Sequence, residues 1–159
     1  MPKISCFVAA VGLLFSGALI SATPNRSNNP RQRSAKMVKL VYFDKWMDPV
    51  GLEILSAESS IQVQKLSFTS ASEANWQGLS GIHGYQALPS TETPEEFYPG
   101  ARMLAHCPDL LAVSVSGAGY DMVDVDACTQ AGVLVVNQTG ANAESVAQHA
   151  LGLMLSLAK

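Results

Sequence analysis

Charge is scarce in this chain, and so is cysteine. Only 14% of the 159 residues are charged, against about 25% in an average soluble chain. The formal net charge is −3, so there is no basic excess to neutralise phosphates, and nucleic-acid binding is excluded as a main role. Three cysteines, Cys6, Cys107 and Cys128, form no CxxC pair. A set so sparse and odd in number makes neither a disulfide framework nor a zinc site. The two inside the domain read as small buried hydrophobes of a reducing compartment.

What is plentiful is apolar. The hydrophobic share is 48%, which excludes a disordered polar chain. The length is that of one domain. Such a domain buries roughly two thirds of its unfolded surface and needs no covalent staple.

Charge is unevenly placed. Residues 1–36 hold Lys3, Arg26, Arg31, Arg33 and Lys36 and no acid. All 13 acidic residues lie beyond them. The uncharged run Ile4–Ile20 between Lys3 and Ser21-Ala22-Thr23-Pro24 has the layout of a secretory signal. It is also at the short limit for a membrane span. The alternative is upstream sequence translated through a misassigned start, since Met37 runs directly into a strand pattern. Residues 1–36 are therefore expected to be an extension, signal-like or misassigned, and 37–141 the folded domain. The domain's chemistry favours the cytoplasm; a genuine signal in residues 1–22 would mean export or an organelle.

The domain alternates short apolar runs with helical patterns. Strands are expected at Lys39–Phe43, Ile61–Leu66, Gly81–Leu88, Leu110–Val115 and Val133–Val136. Helices are expected from Asp48-Pro49 to about Ala57, from Ser70 to Leu79, from Thr93 to His106, over Val125–Gln130, and from Asn142 to Lys159. Asp48 is read as an N-cap ahead of a proline at the first helical position. Ser70 and Glu73 have capping-box spacing. This alternation predicts an α/β fold, with a five-stranded parallel sheet covered on both faces. Ligands of such sheets bind at the carboxyl ends of the strands.

Two stretches fall at those ends. Ser116-Gly117-Ala118-Gly119-Tyr120-Asp121 follows the fourth strand. Its glycines allow positive φ and close approach of a ligand, and successive N–H groups in such a turn suit a carboxylate. A GxG after a strand is also often no more than a tight turn. Asn137-Gln138-Thr139-Gly140-Ala141-Asn142 follows the fifth strand. Asn142 can cap the last helix, or its amide can face a ligand beside the GxG turn, where a helix N-terminus favours an anion. The last helix is apolar around almost its whole circumference and needs burial on all sides. The pattern runs to Lys159 without a terminating signal, so a further part of the protein is expected to follow.

Together, Gly117-Ala118-Gly119-Tyr120-Asp121-Met122-Val123-Asp124, then Gly132–Asn137, then Gly140-Ala141-Asn142-Ala143-Glu144-Ser145-Val146-Ala147-Gln148-His149-Ala150 resemble the NAD(P)-dependent D-isomer-specific 2-hydroxyacid dehydrogenases. That family includes phosphoglycerate dehydrogenases and glyoxylate/hydroxypyruvate reductases. The match is specific over about 110–159 and rests on strand order before that. The family usually has Glu before the histidine of the last motif, where this chain has Gln148. Response regulators share the sheet, but Leu88-Pro89 and Gln138-Thr139 stand where they need Asp and Lys.

The resemblance implies a flavodoxin-like substrate domain over 37–141, and a crossing helix over 142–159 that leads to a separate NAD-binding Rossmann domain. It implies that Gly117, Ala118 and Gly119 hold a substrate carboxylate and that Asn142 sits beside the reacting carbonyl. Ser90 and Thr91 would line the cleft, and Val146 would pack near the nicotinamide of NAD or NADP. The substrate would be a small 2-hydroxy or 2-oxo acid and the enzyme a homodimer, with neither nucleic acid nor membrane as a partner of the domain. The family's catalytic Arg, Glu and His would all lie beyond Lys159, and the sequence contains no GxGxxG. His83, His106 and His149 are read as structural or surface residues. The isolated chain is thus expected to be inactive. The rival reading is a stand-alone flavodoxin-like module that binds small acids or docks to a partner.

Overall fold

The computed structural model describes residues 37–158. The expectations for residues 1–36, Cys6 included, lie outside the described residues.

Five strands, β1 (Val38–Phe43), β2 (Ile61–Leu66), β3 (Gly84–Ala87), β4 (Ala112–Val115) and β5 (Leu134–Val136), form one sheet in the order β2-β1-β3-β4-β5. Every neighbouring pair is parallel. The helices are α1 (Pro49–Ala57), α2 (Ser72–Leu79), α3 (Ala101–His106), α4 (Val125–Gln130) and α5 (Ala143–Leu157). This is the α/β arrangement the alternation predicts.

Strand alternation divides the apolar residues between two faces. On one face Val41 and Phe43 of β1, Tyr85 and Ala87 of β3, and Val113 and Val115 of β4 join the larger core with Trp76, Phe97 and Met103. Phe43 and Phe68 stack there at 4.3 Å, and Phe97 lies 4.9 Å from Phe43. On the other face Leu40 packs with Leu55 of α1 in a smaller cluster.

Asp48 caps α1 as expected: its carboxylate accepts from the Val50 N–H at 2.9 Å, with Pro49 at the first helical position. Three local expectations are corrected. α2 starts at Ser72 with Ala71 at its cap and no side-chain cap bond. The capping box from Ser70 does not form, because the Ser70 N–H is already committed to the Ser67 carbonyl in a turn. The helix expected from Thr93 to His106 is broken into a 3₁₀ turn, Glu95–Phe97, and α3. Pro99-Gly100 separates them, since a proline removes a helical donor and glycine is a poor helix former. β3 is shorter than Gly81–Leu88, because Gly81 has φ +66° and ends the α2 connection instead of extending the strand.

α5 is unlike the other helices. All of its residues are exposed, among them Val146, Leu151, Leu153, Met154 and Leu155. The nearly all-round apolar pattern therefore does not meet a covering surface among the described residues.

Candidate carboxylate site at the end of strand β4

The carboxyl ends of β3, β4 and β5 lie side by side in the sheet. β3 leads into Leu88–Thr91, β4 into Ser116–Gly119, and β5 into Asn137–Asn142. The parallel topology thus brings the three loops of interest to one edge.

The chain leaves β4 through a tight turn in which the Gly117 N–H donates to the Val115 carbonyl at 2.8 Å. The next two peptide units are tied to the loop after β5 through their carbonyls. Gly117 O accepts from the Gln138 N–H at 2.8 Å. Ala118 O accepts from Asn137 Nδ2, also at 2.8 Å. A trans peptide points its N–H opposite to its carbonyl, and no described peptide is cis. The N–H groups of Ala118 and Gly119 are therefore turned away from the β5 loop, towards the same side. Neither donates to another described residue. Two adjacent amide donors held in this way form a small anion-binding concavity.

The glycines act here by leaving space. Among the described residues positive φ occurs at Gly81, Gly132 and Gly140 and at Asp44, so neither Gly117 nor Gly119 adopts it. Of the two properties glycine offers at the GxG, positive φ is not used here. A Cβ on Gly117 would meet nothing within 4 Å, and one on Gly119 would meet only Asp121 Oδ1 at 3.3 Å. Neither internal packing nor conformation explains a glycine at 117.

A buried polar pair braces the base of the turn. Gln86 Nε2 donates to Ser116 Oγ at 2.6 Å, the one buried bond between two side chains among the described residues. Composition gave no signal for Gln86 or Asn137. Their roles appear only once β3, β4 and β5 are laid side by side.

The other expected residues are placed as follows. Ser90 is half-buried and its carbonyl accepts from the Tyr98 hydroxyl at 3.2 Å, while Thr91 is exposed. An ion pair of 2.6 Å between Lys45 and Glu92 ties this loop to the one after β1. No hydrogen bond joins Ser90 or Thr91 to the Gly117–Gly119 turn. Asn142 is exposed at the start of α5 and makes no side-chain cap bond, so its amide is available beside the loop. Val146 lies one turn on and is 57% exposed.

The histidines are not assembled into a catalytic set. His83 precedes β3 and its Nδ1 accepts from the Lys39 N–H. The His106 ring lies 2.7 Å from the Trp76 carbonyl, and His149 is exposed on α5. No cluster of three metal-binding side chains occurs among the described residues. Burial pushes the Cys107 thiol up to about 11, and Cys128 is also raised by burial and by Asp124. Both are free and buried thiols without nucleophilic character. A cleft of about 440 Å³ lies at α2 and α3, lined by Ser72, Trp76, Arg102 and His106. Its groups are occupied with one another: Arg102 sits 4.4 Å over Trp76, and Glu96 accepts from Ser72 and Trp76.

Residues 41–152 match the family model of the D-isomer specific 2-hydroxyacid dehydrogenase, catalytic domain. The chain belongs to the D-isomer specific 2-hydroxyacid dehydrogenase family. A D-3-phosphoglycerate dehydrogenase of Synechocystis is 30% identical over 130 residues, covering 80% of this chain and 21% of that protein. Its counterpart in Mycobacterium leprae is 49% identical over 59 residues, 37% of this chain and 11% of that protein. The chain thus spans about a fifth or less of these relatives' length. The 2-hydroxyacid dehydrogenase of Ketogulonicigenium vulgare has the same fold, with a TM-score of 0.59 at 24% identity, over 76% of this chain and 36% of that one. In this dehydrogenase family the five-stranded sheet is the catalytic-domain fold, and the β4 turn lies within the matched residues. No helix among the described residues is long and apolar enough to cross a membrane.

Proposed function

We propose that this chain is the substrate-binding part of an NAD(P)-dependent oxidoreductase acting on the CH–OH group of a small 2-hydroxy acid. The observation that carries this reading is the pair of unpartnered N–H groups at Ala118 and Gly119, above a glycine whose surface is bare. A carboxylate is what every 2-hydroxy acid offers to such a pair. Ala118 and Gly119 hold it through charge-assisted hydrogen bonds from their N–H groups; the Gly117 N–H is spent on the Val115 carbonyl, so Gly117 contributes room and no donor. The positive end of the α5 dipole adds to the attraction near Asn142. Asn142 would then lie beside the substrate's C2 oxygen, with Ser90 and Thr91 along the cleft.

The cofactor would supply or take up the hydride, and Val146 offers an aliphatic surface for a nicotinamide ring. The residues present do not fit a whole dinucleotide. There is no strand–GxGxxG–helix unit to cradle a pyrophosphate. The role of this chain on that reading is substrate binding and not hydride transfer. The domain reading follows: 37–141 as the substrate domain and 142–159 as a helix leading towards a cofactor domain. Two free buried thiols support the cytoplasm as the compartment.

Two assays on the purified 159-residue protein test this. NADH oxidation with glyoxylate or hydroxypyruvate should not exceed the blank. Glycolate should bind, and glycolamide, its uncharged amide, should bind at least tenfold more weakly, the order of one charge-assisted hydrogen bond. NADH-dependent reduction by the pure chain overturns the inactive reading. Equal binding of acid and amide overturns the carboxylate site.

A further inference from the structure

We infer that Asn137 is a positioning residue for the carboxylate turn, and that it couples this turn to the segment that starts α5. The inference rests on the carboxylate reading of Gly117–Gly119 and extends it to a residue outside the turn.

The Asn137 side-chain amide has both ends committed. Asn137 Nδ2 donates to the Ala118 carbonyl at 2.8 Å. Asn137 Oδ1 accepts from the Thr139 N–H at 3.3 Å. The two partners are a carbonyl and an N–H, so they also fix which end of the amide is which. The first bond holds the peptide between Ala118 and Gly119. Because that peptide is planar and trans, holding its oxygen aims the Gly119 N–H. The second bond is an Asx turn that shapes the loop Asn137–Ala141.

The same loop reaches the turn a second time through the Gln138 N–H on Gly117 O. It then closes on itself, with the Ala141 N–H on Gln138 O at 3.0 Å, immediately before Asn142 and α5. Asn137 is thus the side chain that ties the direction of the Gly119 N–H to the entry of α5. A displacement of α5 would be felt at the anion site through this amide. Aspartate at 137 could keep the Asx turn but has no donor for the Ala118 carbonyl.

The test uses the full 159-residue chain, uniformly ¹⁵N-labelled, as wild type, Asn137→Ala and Asn137→Asp. Backbone order parameters are measured at Ala118 and Gly119 without ligand, and glycolate affinity is measured by titration. The expected result is greater mobility at Ala118 and Gly119 in both variants, with Val41, Tyr85 and Val113 in the sheet unchanged. Glycolate should bind Asn137→Ala about three- to tenfold more weakly, the worth of one hydrogen bond. A merely structural role would lower the thermal midpoint while leaving the turn's order and the affinity ratio where they were, and that result overturns the inference. Asn137→Asp decides the mobility question again if Asn137→Ala does not fold. Wild-type protein that binds no glycolate overturns the carboxylate reading and this inference together. Wild-type binding that Asn137→Ala leaves intact overturns this inference alone.

Discussion

Glycines at two turns of this domain serve opposite ends, and substitution separates them. Gly132 has φ +72°, so Gly132→Ala forces left-handed backbone on a Cβ and should cost about 1–2 kcal/mol of stability. Gly117 has no such φ and no neighbour within 4 Å of a Cβ. Gly117→Ala should change stability by less than about 0.5 kcal/mol yet weaken glycolate binding, because the methyl stands where the ligand approaches. Urea unfolding and a binding titration on both variants check this. A Gly117→Ala protein that binds as wild type would remove the close-approach argument. The buried acids give a pH prediction at the same scale. Cys107 is raised from 9.0 to about 11, and Tyr85 is raised above its ordinary 10.0 by burial. The folded state holds these protons more tightly than the unfolded chain does. For Cys107 this contribution is complete below pH 9.0 and is lost as the pH climbs through about 11; for Tyr85 it is complete below pH 10.0 and is lost at higher pH than that of Cys107. The thermal midpoint should fall across that window, and Cys107→Ala should fall less steeply from its own starting point.

Most elements of this domain were legible from local pattern. LVYF, LLAVSV and VLVV are apolar on successive residues and contain β1, β4 and β5; β4 is buried throughout, whereas β5 is an edge strand with Leu134 exposed, so its apolar run does not mark cover on both faces. The errors fall where a local signal met a competing one. Ser70 and Glu73 have cap spacing, but a turn takes Ser70 first. Thr93-Pro94-Glu95-Glu96 opens helically, but Pro99-Gly100 interrupts it. At the site, the GxG and Asn142 were visible because they sit in one contiguous stretch each. Gln86 and Asn137 were not, because their partners are 30 and 19 residues away and meet them only across the sheet. α5 raises a prediction of its own. Leu151, Leu153, Met154 and Leu155 are each more than half exposed, and apolar patches of this kind rarely stay bare. The 159-residue protein should self-associate with rising concentration in sedimentation velocity, and Leu151→Glu with Leu155→Glu should shift it towards monomer. A wild-type monomer at high concentration would show that the helix is tolerated bare.

At the scale of the whole molecule, strand order does the placing. The order β2-β1-β3-β4-β5 with every pair parallel gathers all strand carboxyl ends on one edge. The ends of β3, β4 and β5 are therefore neighbours although Ser90 and Asn142 are far apart in sequence. The family match begins within β1 and runs through the rest of the sheet to the first two thirds of α5. What the sheet is proposed to provide is a carboxylate cradle; what the sequence does not contain is a GxGxxG dinucleotide loop. The central claim is thus a location: a small 2-hydroxy acid binds at the end of β4. A ¹H–¹⁵N titration of the labelled chain with glycolate tests it most directly. The account predicts shifts concentrated at Gly117, Ala118 and Gly119, with smaller ones at Asn137 and Asn142. Shifts confined to the α2–α3 cleft around Trp76 and Arg102, or none up to saturating glycolate, would contradict it.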